Sequence, residues 1–249
     1  MREPLWIFQR RFVNGLLPLR IAKTYIYFLL VGLDYLHSEC KVVHIDLKLA
    51  NILMTFENEN ILPAFVQRQQ QMQFKVNQAT GRTIYRCHNA FGSLDAKEIK
   101  NMYTQINDFG SATSLNDPSV LRDGMAGQKI SIYPIQPDHS RAPEVILGCG
   151  WDFMADSWNL DVLLWNIIGR KELFQQVLNI DGIYDAKAHL AEMNALLGPP
   201  PNKLLEKETA MAKDNWPYPV TNETAKLCAN ARELFGGLFF TEEGKIPLR

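Results

Sequence analysis

Val42-Val43-His44-Ile45-Asp46-Leu47-Lys48-Leu49-Ala50-Asn51-Ile52-Leu53-Met54 places two short apolar runs, Val42 to His44 and Ile52 to Met54, around a polar segment from Asp46 to Asn51. That pattern predicts two small strands bracketing a loop, and such a loop projects functional side chains from a rigid base. Two further blocks follow: Asp108-Phe109-Gly110 and Ala142-Pro143-Glu144. Each triplet alone is weak evidence; order and mutual spacing give the set its weight. Together the blocks offer two carboxylates, Asp46 and Asp108, a cation two residues after the first, Lys48, and a carboxamide, Asn51.

Outward from that loop, the periodicity is mainly helical. Pro4 is expected in the first turn of a short helix carrying Leu5, Ile7, Phe8 and Phe12. A longer helix is expected from Leu19 to Ser38, with Ile26, Leu29, Leu30, Leu33 and Leu36 as its core stripe. Downstream, helices are expected at Val145 to Leu147, Trp158 to Ile168, Ala186 to Leu197 (stopped by Gly198-Pro199-Pro200-Pro201) and Thr224 to Phe235 (stopped by Gly236-Gly237). Residues 57–103 look like an insertion, in which Gln67 to Gln73 reads as a solvated helix face or loop.

The chain has 249 residues with 47% hydrophobic content, enough for a real core. Its 26 basic and 27 acidic residues leave no single-sign field that would mark it for nucleic acid or an anionic membrane. The four cysteines, Cys40, Cys87, Cys149 and Cys228, show neither zinc spacing nor disulfide density, and Thr24 to Leu33 is shorter than the roughly 20 residues of a bilayer span. The expectation is a soluble monomer of the cytoplasm or nucleus, with no direct nucleic-acid or membrane partner.

The three blocks resemble the catalytic half of a eukaryotic serine/threonine protein kinase. That resemblance implies an α+β, mainly α fold: the C-terminal large lobe, with small β-hairpins around the catalytic loop. It implies Asp46 as the catalytic aspartate, Lys48 near the transferred phosphate, Asn51 and Asp108 as Mg²⁺ ligands with ATP as cofactor, and structural roles for His44, Phe109, Gly110, Glu144 and Asp156. Asp156 resembles the aspartate that braces the catalytic loop from below. Residues 1–249 then form a partial kinase domain, with the activation segment at 108–144 and the region after the central helix at 186–237.

Gly32-Leu33-Asp34-Tyr35-Leu36-His37, Ile146 to Trp151, Ala188 to Met193 and Asn230 to Gly237 are similar to SR-protein kinases, particularly fungal ones. This implies a protein substrate rich in Arg-Ser and a role in mRNA processing. Departures are Leu49 for the usual proline, Ser140 before Arg141, Asp161 in place of glycine, and Ile45 where many kinases carry an arginine that pairs with a phosphorylated activation loop. Ile45 makes no such pair, so activity is not expected to wait for that phosphate. His139 is expected to be a segment residue and not a ligand. No Gly-rich phosphate loop or V-A-I-K-like strand lysine precedes Asp46, Gly148-Cys149-Gly150 is no substitute, and the arginine that would pair with Glu144 is not seen. The alternative expectation is therefore a catalytically inactive kinase-like fragment that acts as a binding module.

Overall fold

Pro4 stays extended, at φ −62° and ψ 150°, and ends strand β1 (Glu3–Pro4); it is not inside a helix as expected. Helix α1 (Leu5–Gln9) follows and stops before Phe12. These elements belong to a computed structural model that describes residues 1–68, 74–85, 90–117, 122–123, 129–169, 171–211, 214–216, 218–237, 239–241 and 245–246. The chain divides into two compact units, Met1–Gly32 with Leu49–Asn107, and Leu33–Lys48 with Asp108–Arg249.

In the first unit, α1 and α2 (Leu19–Tyr35) accompany an antiparallel sheet of order β1-β3-β6. Strand β2 (Val42–Val43) belongs to the other unit, while β3 (Ile52–Met54) is central here, with Glu3 opposite Met54 and Ile52 opposite Ile106 of β6 (Thr104–Ile106). The buried stripe of α2 is Ala22, Tyr25, Leu29 and Leu33; Leu30, expected inside, is about half exposed. Tyr25 takes the inward place because its ring meets Phe8 at 6.0 Å and its carbonyl accepts the Thr104 hydroxyl at 2.9 Å. Beyond Tyr35 the helix widens into a π turn over Leu36–Cys40, which replaces the straight end expected at Ser38.

Segment 57–103 holds α3 (Ile61–Arg68) and a hairpin of β4 (Phe74–Val76) and β5 (Thr83–Tyr85). Gln67 and Arg68 are exposed at the end of α3, while Gln69 to Gln73 lie outside the described residues. Arg2 ties this segment to the amino terminus: Nη1 meets Glu57 Oε1 at 2.5 Å and Nη2 donates to the Gly92 carbonyl at 2.7 Å.

The second unit pairs β2 with β7 (Thr113–Ser114) and β8 (Arg122–Asp123) with β9 (Lys129–Ile130). Then come α4 (Pro143–Ile146), α5 (Met154–Gly169), α6 (Ala186–Leu197), α7 (Asn202–Met211), the ribbon β10 (Val220–Thr221) and β11 (Leu227–Cys228), and α8 (Ala231–Phe235). Helix α5 begins four residues before the expected Trp158, because Asp152 Oδ1 accepts the Met154 N–H at 2.8 Å and starts the turn. The expected helix from Thr224 is mostly a hairpin. Asn222 Oδ1 accepts the N–H groups of Thr224 and Lys226, turning the chain before a helix can start. Asn230 then caps the short α8 through the Glu233 N–H. Helix α7 was not expected, since its composition is polar.

Among the described residues no helix is long and apolar enough to cross a membrane. The buried Arg2–Glu57 pair yields a stability prediction. Arg2→Met or Glu57→Leu alone strands a buried charge and should cost about 3–5 kcal/mol, whereas the double variant should recover most of it; urea unfolding of the three proteins measures both.

Candidate active site

The loop that carries Asp46 hangs from one carboxylate. Asp156, in the first turn of α5 and fully buried, accepts the His44 N–H on Oδ2 and the Ile45 N–H on Oδ1, each at 2.7 Å, and meets His37 Nε2 at 2.9 Å. The His37 ring packs on Phe153 at 4.7 Å. The helix N-terminus favours negative charge at this point. With its amide held, Ile45 adopts φ +61°, a left-handed conformation unusual for a β-branched residue and worth about 1–2 kcal/mol of strain.

Two consequences follow from that kink. The Ile45 side chain turns into an apolar cluster with Val43, Leu115, Ile135, Ala142, Val145 and Trp151. Asp46 faces a cavity of about 790 Å³, lined also by Lys48, Ser111, Thr113, Tyr133 and Arg141. Lys48 Nζ bonds Asp46 Oδ2 at 2.8 Å, so the carboxylate and the ammonium share one wall. The Asp46 N–H donates to His44 Nδ1 at 3.3 Å, which requires that nitrogen to be unprotonated. The buried His44 ring meets Phe109 edge-on at 5.0 Å, linking the loop to the Asp108-Phe109-Gly110 block.

Asp108 is exposed and left-handed at φ +66°, and a short 3₁₀ turn over Phe109–Ser111 follows it. A Cβ at Gly110 would stand 3.4 Å from Asp108 Oδ1, an ordinary contact. Asn51 belongs to the first unit, where it is buried at the end of a 3₁₀ turn leading into β3, its carbonyl accepting the Asn107 N–H at 2.9 Å. Asp and Asn oxygens are the donors Mg²⁺ prefers. Among the described residues no group of three His, Cys, Asp or Glu side chains could hold a metal by itself.

The end of segment 108–144 is fastened to the same helix by two amides that sequence reading missed. Asn159 Nδ2 donates to the Ser140 carbonyl at 2.7 Å; Gln136 donates to the Ala155 carbonyl at 2.8 Å and accepts the Ala142 N–H at 2.7 Å. An amide inside the apolar run Trp158 to Ile168 was the available signal for Asn159; Gln136, close to Pro134 and Pro137, offers none. Arg141 lies 4.5 Å over the Tyr184 ring and 5.1 Å from Phe235, and donates to the carbonyls of Ile135 and Gln136. His139 is half-buried in the 3₁₀ turn before it, its Nδ1 3.5 Å from the Phe174 carbonyl. Nearby, burial helped by the Arg141 and His139 charges pushes the His189 imidazole down to about 3, so this histidine stays neutral, with its Nδ1 2.9 Å from the Tyr184 hydroxyl.

Glu144 is different. Burial raises its pKa, Asp152 adds to the effect, and its own N–H and Lys207 offset only part of it.

No family model matches the chain. It is 33% identical over 193 residues to a serine/threonine protein kinase of Aspergillus fumigatus, an alignment covering 77% of this chain and 42% of that protein. It is 28% identical over 221 residues to the serine/threonine-protein kinase AFC3 of Arabidopsis thaliana (86% and 45%), and 28% over 209 residues to the serine/threonine-protein kinase SRPK of Physarum polycephalum (79% and 46%). Its relatives are protein kinases. A solved kinase domain, 24% identical, superposes with a TM-score of 0.52 over 84% of this chain and 50% of its own, so the fold is that of a kinase large lobe. The chain spans less than half the length of these kinase relatives.

In kinase terms, the catalytic loop of the resemblance is the loop hung from Asp156. Asp156→Asn replaces one accepting oxygen by a donor facing an N–H and should destabilise the protein by about 3 kcal/mol or more, with the amide signals of His44 and Ile45 moving most in an ¹⁵N spectrum. Glu144 predicts a pH signature. Its proton is held more tightly folded than unfolded, so ionisation costs stability as pH rises above the ordinary value of 4.5, and costs nothing below it. Glu144→Gln should melt above the parent protein at pH 7 to 8, with the gap closing toward pH 4 in thermal scans.

Proposed function

We propose that this chain supplies the phosphoryl-transfer half of a serine/threonine protein kinase, moving the γ-phosphoryl of ATP to serine hydroxyls of Arg-Ser-rich proteins. Asp46 takes or orients the hydroxyl proton, Lys48 steadies the transferred phosphate, and Asn51 and Asp108 hold Mg²⁺. The observation that carries the reading is the Asp46–Lys48 pair, 2.8 Å apart on the wall of an open cavity. A general base and a cation side by side are what a reaction made of positioning and charge stabilisation requires. When bound, Mg·ATP supplies the phosphoryl group and neutralises its oxygens.

Segment 108–144 serves as the activation segment in this reading, and 57–103 as an insertion. Because the Ile45 side chain sits in the apolar cluster with Leu115 and Ile135, the segment is held by packing where many kinases use a phosphate-arginine pair. The Arg-Ser preference rests on the likeness of residues 32–37, 146–151, 188–193 and 230–237 to SR-protein kinases; those substrates place the protein in cytoplasm or nucleus.

The test is transfer from Mg·[γ-³²P]ATP to an Arg-Ser repeat peptide. Supplied with the small lobe of a serine/threonine kinase relative, the chain is expected to transfer phosphate, and Asp46→Asn to lower that transfer about a thousandfold or more, without any gain from an added activating kinase. Peptide binding without transfer would assign the chain a substrate-binding role without catalysis.

A further inference from the structure

Helices α6 and α7 enclose a second cavity, of about 540 Å³, that shares no lining residue with the one at Asp46. Leu190, Met193, Asn194 and Leu197 reach it from α6 at positions i, i+3, i+4 and i+7, which is one helical face. Asp185 caps that helix by accepting the Lys187 and Ala188 N–H groups, at 2.9 and 3.1 Å, and so fixes the face. Gly198 then turns the chain at φ +86°, ψ −174°, a conformation essentially confined to glycine. Three prolines carry it into α7, so this wall is short, stiff and poor in donors.

From α7 come Lys203, Leu204 and Lys207. The two lysines are one turn apart on a single face. Lys203 is exposed and Lys207 half-buried, and neither is in an ion pair among the described residues. Glu144 is an acidic group within electrostatic reach of Lys207. Two groups of the wall, Asn194 Oδ1 and Trp158 Nε1, are buried with no hydrogen-bond partner among the described residues.

An apolar cavity in the size range of small-molecule sites, with a few polar groups on its wall, is built for an amphipathic ligand. Two flexible ammoniums act as point charges and suit a single carboxylate. We propose that the cavity binds a long-chain fatty acid, with its hydrocarbon tail along the Leu190–Leu197 face and its carboxylate at Lys203 and Lys207.

The experiment is fluorescence titration of the full chain with cis-parinaric acid, followed by displacement with laurate, dodecanol or inorganic phosphate. Saturable binding reversed by laurate, weakly by dodecanol and not by phosphate is expected. Lys203→Glu with Lys207→Glu should weaken laurate by about tenfold or more and leave dodecanol unchanged. Met193→Trp, which fills the space, should abolish both; if it fails to fold, Leu197→Trp at the exposed rim replaces it. Absence of saturable binding, dodecanol as tight as laurate, or laurate affinity unmoved by these variants would each overturn the proposal.

Discussion

A carboxylate taken out of water must recover several kcal/mol from its partners. Asp156 does so with two backbone N–H groups and the His37 ring at the start of α5. In satisfying itself it fixes the backbone of the loop ahead of Asp46. The left-handed turn at Ile45 would relax without that anchor, and the turn is what sends the Ile45 side chain into the core while its neighbour Asp46 faces the cavity. A strained residue held by over-determined contacts is a recurrent feature of functional loops.

The same helix end also fixes the chain that faces Asp46. Asn159 holds the Ser140 carbonyl, the Ala155 carbonyl holds Gln136, and Gln136 in turn holds the Ala142 N–H. The first two turns of α5 thus set both walls of the Asp46 cavity. Between those walls the joint is apolar: Ile45 packs with Leu115, Ile135 and Val145. Apolar packing is not weakened by charge screening, unlike an arginine-phosphate pair. An arginine at this position would have to bury its charge.

Much of the candidate site could be named from the sequence. Asp46, Lys48, Asn51 and Asp108 announce themselves by residue type and spacing, and the Asp156 brace follows from the resemblance to protein kinases. The elements around them were legible where periodicity was strong, as in α6 with its Gly-Pro stop. They were misplaced where a single polar side chain decided the outcome: Asp152 starts α5 early, and Asn222 folds a hairpin where helical spacing had been expected. Leu30, expected inside, stands about half exposed, while Tyr25, which meets Phe8, is buried.

The sequence by itself determined the chemistry on offer and the family likeness, because both depend on residue identity at short, fixed separations along the chain. Only the tertiary structure decided that Ile45 is a left-handed core residue, that Asn159 and Gln136 carry the end of segment 108–144, and that Glu144 is an uneasy carboxylate while His189 is a neutral imidazole. Each of these depends on what lies near in space and not in sequence. Burial, the fields of neighbouring charges and the direction of a hydrogen bond come into being only when distant segments meet.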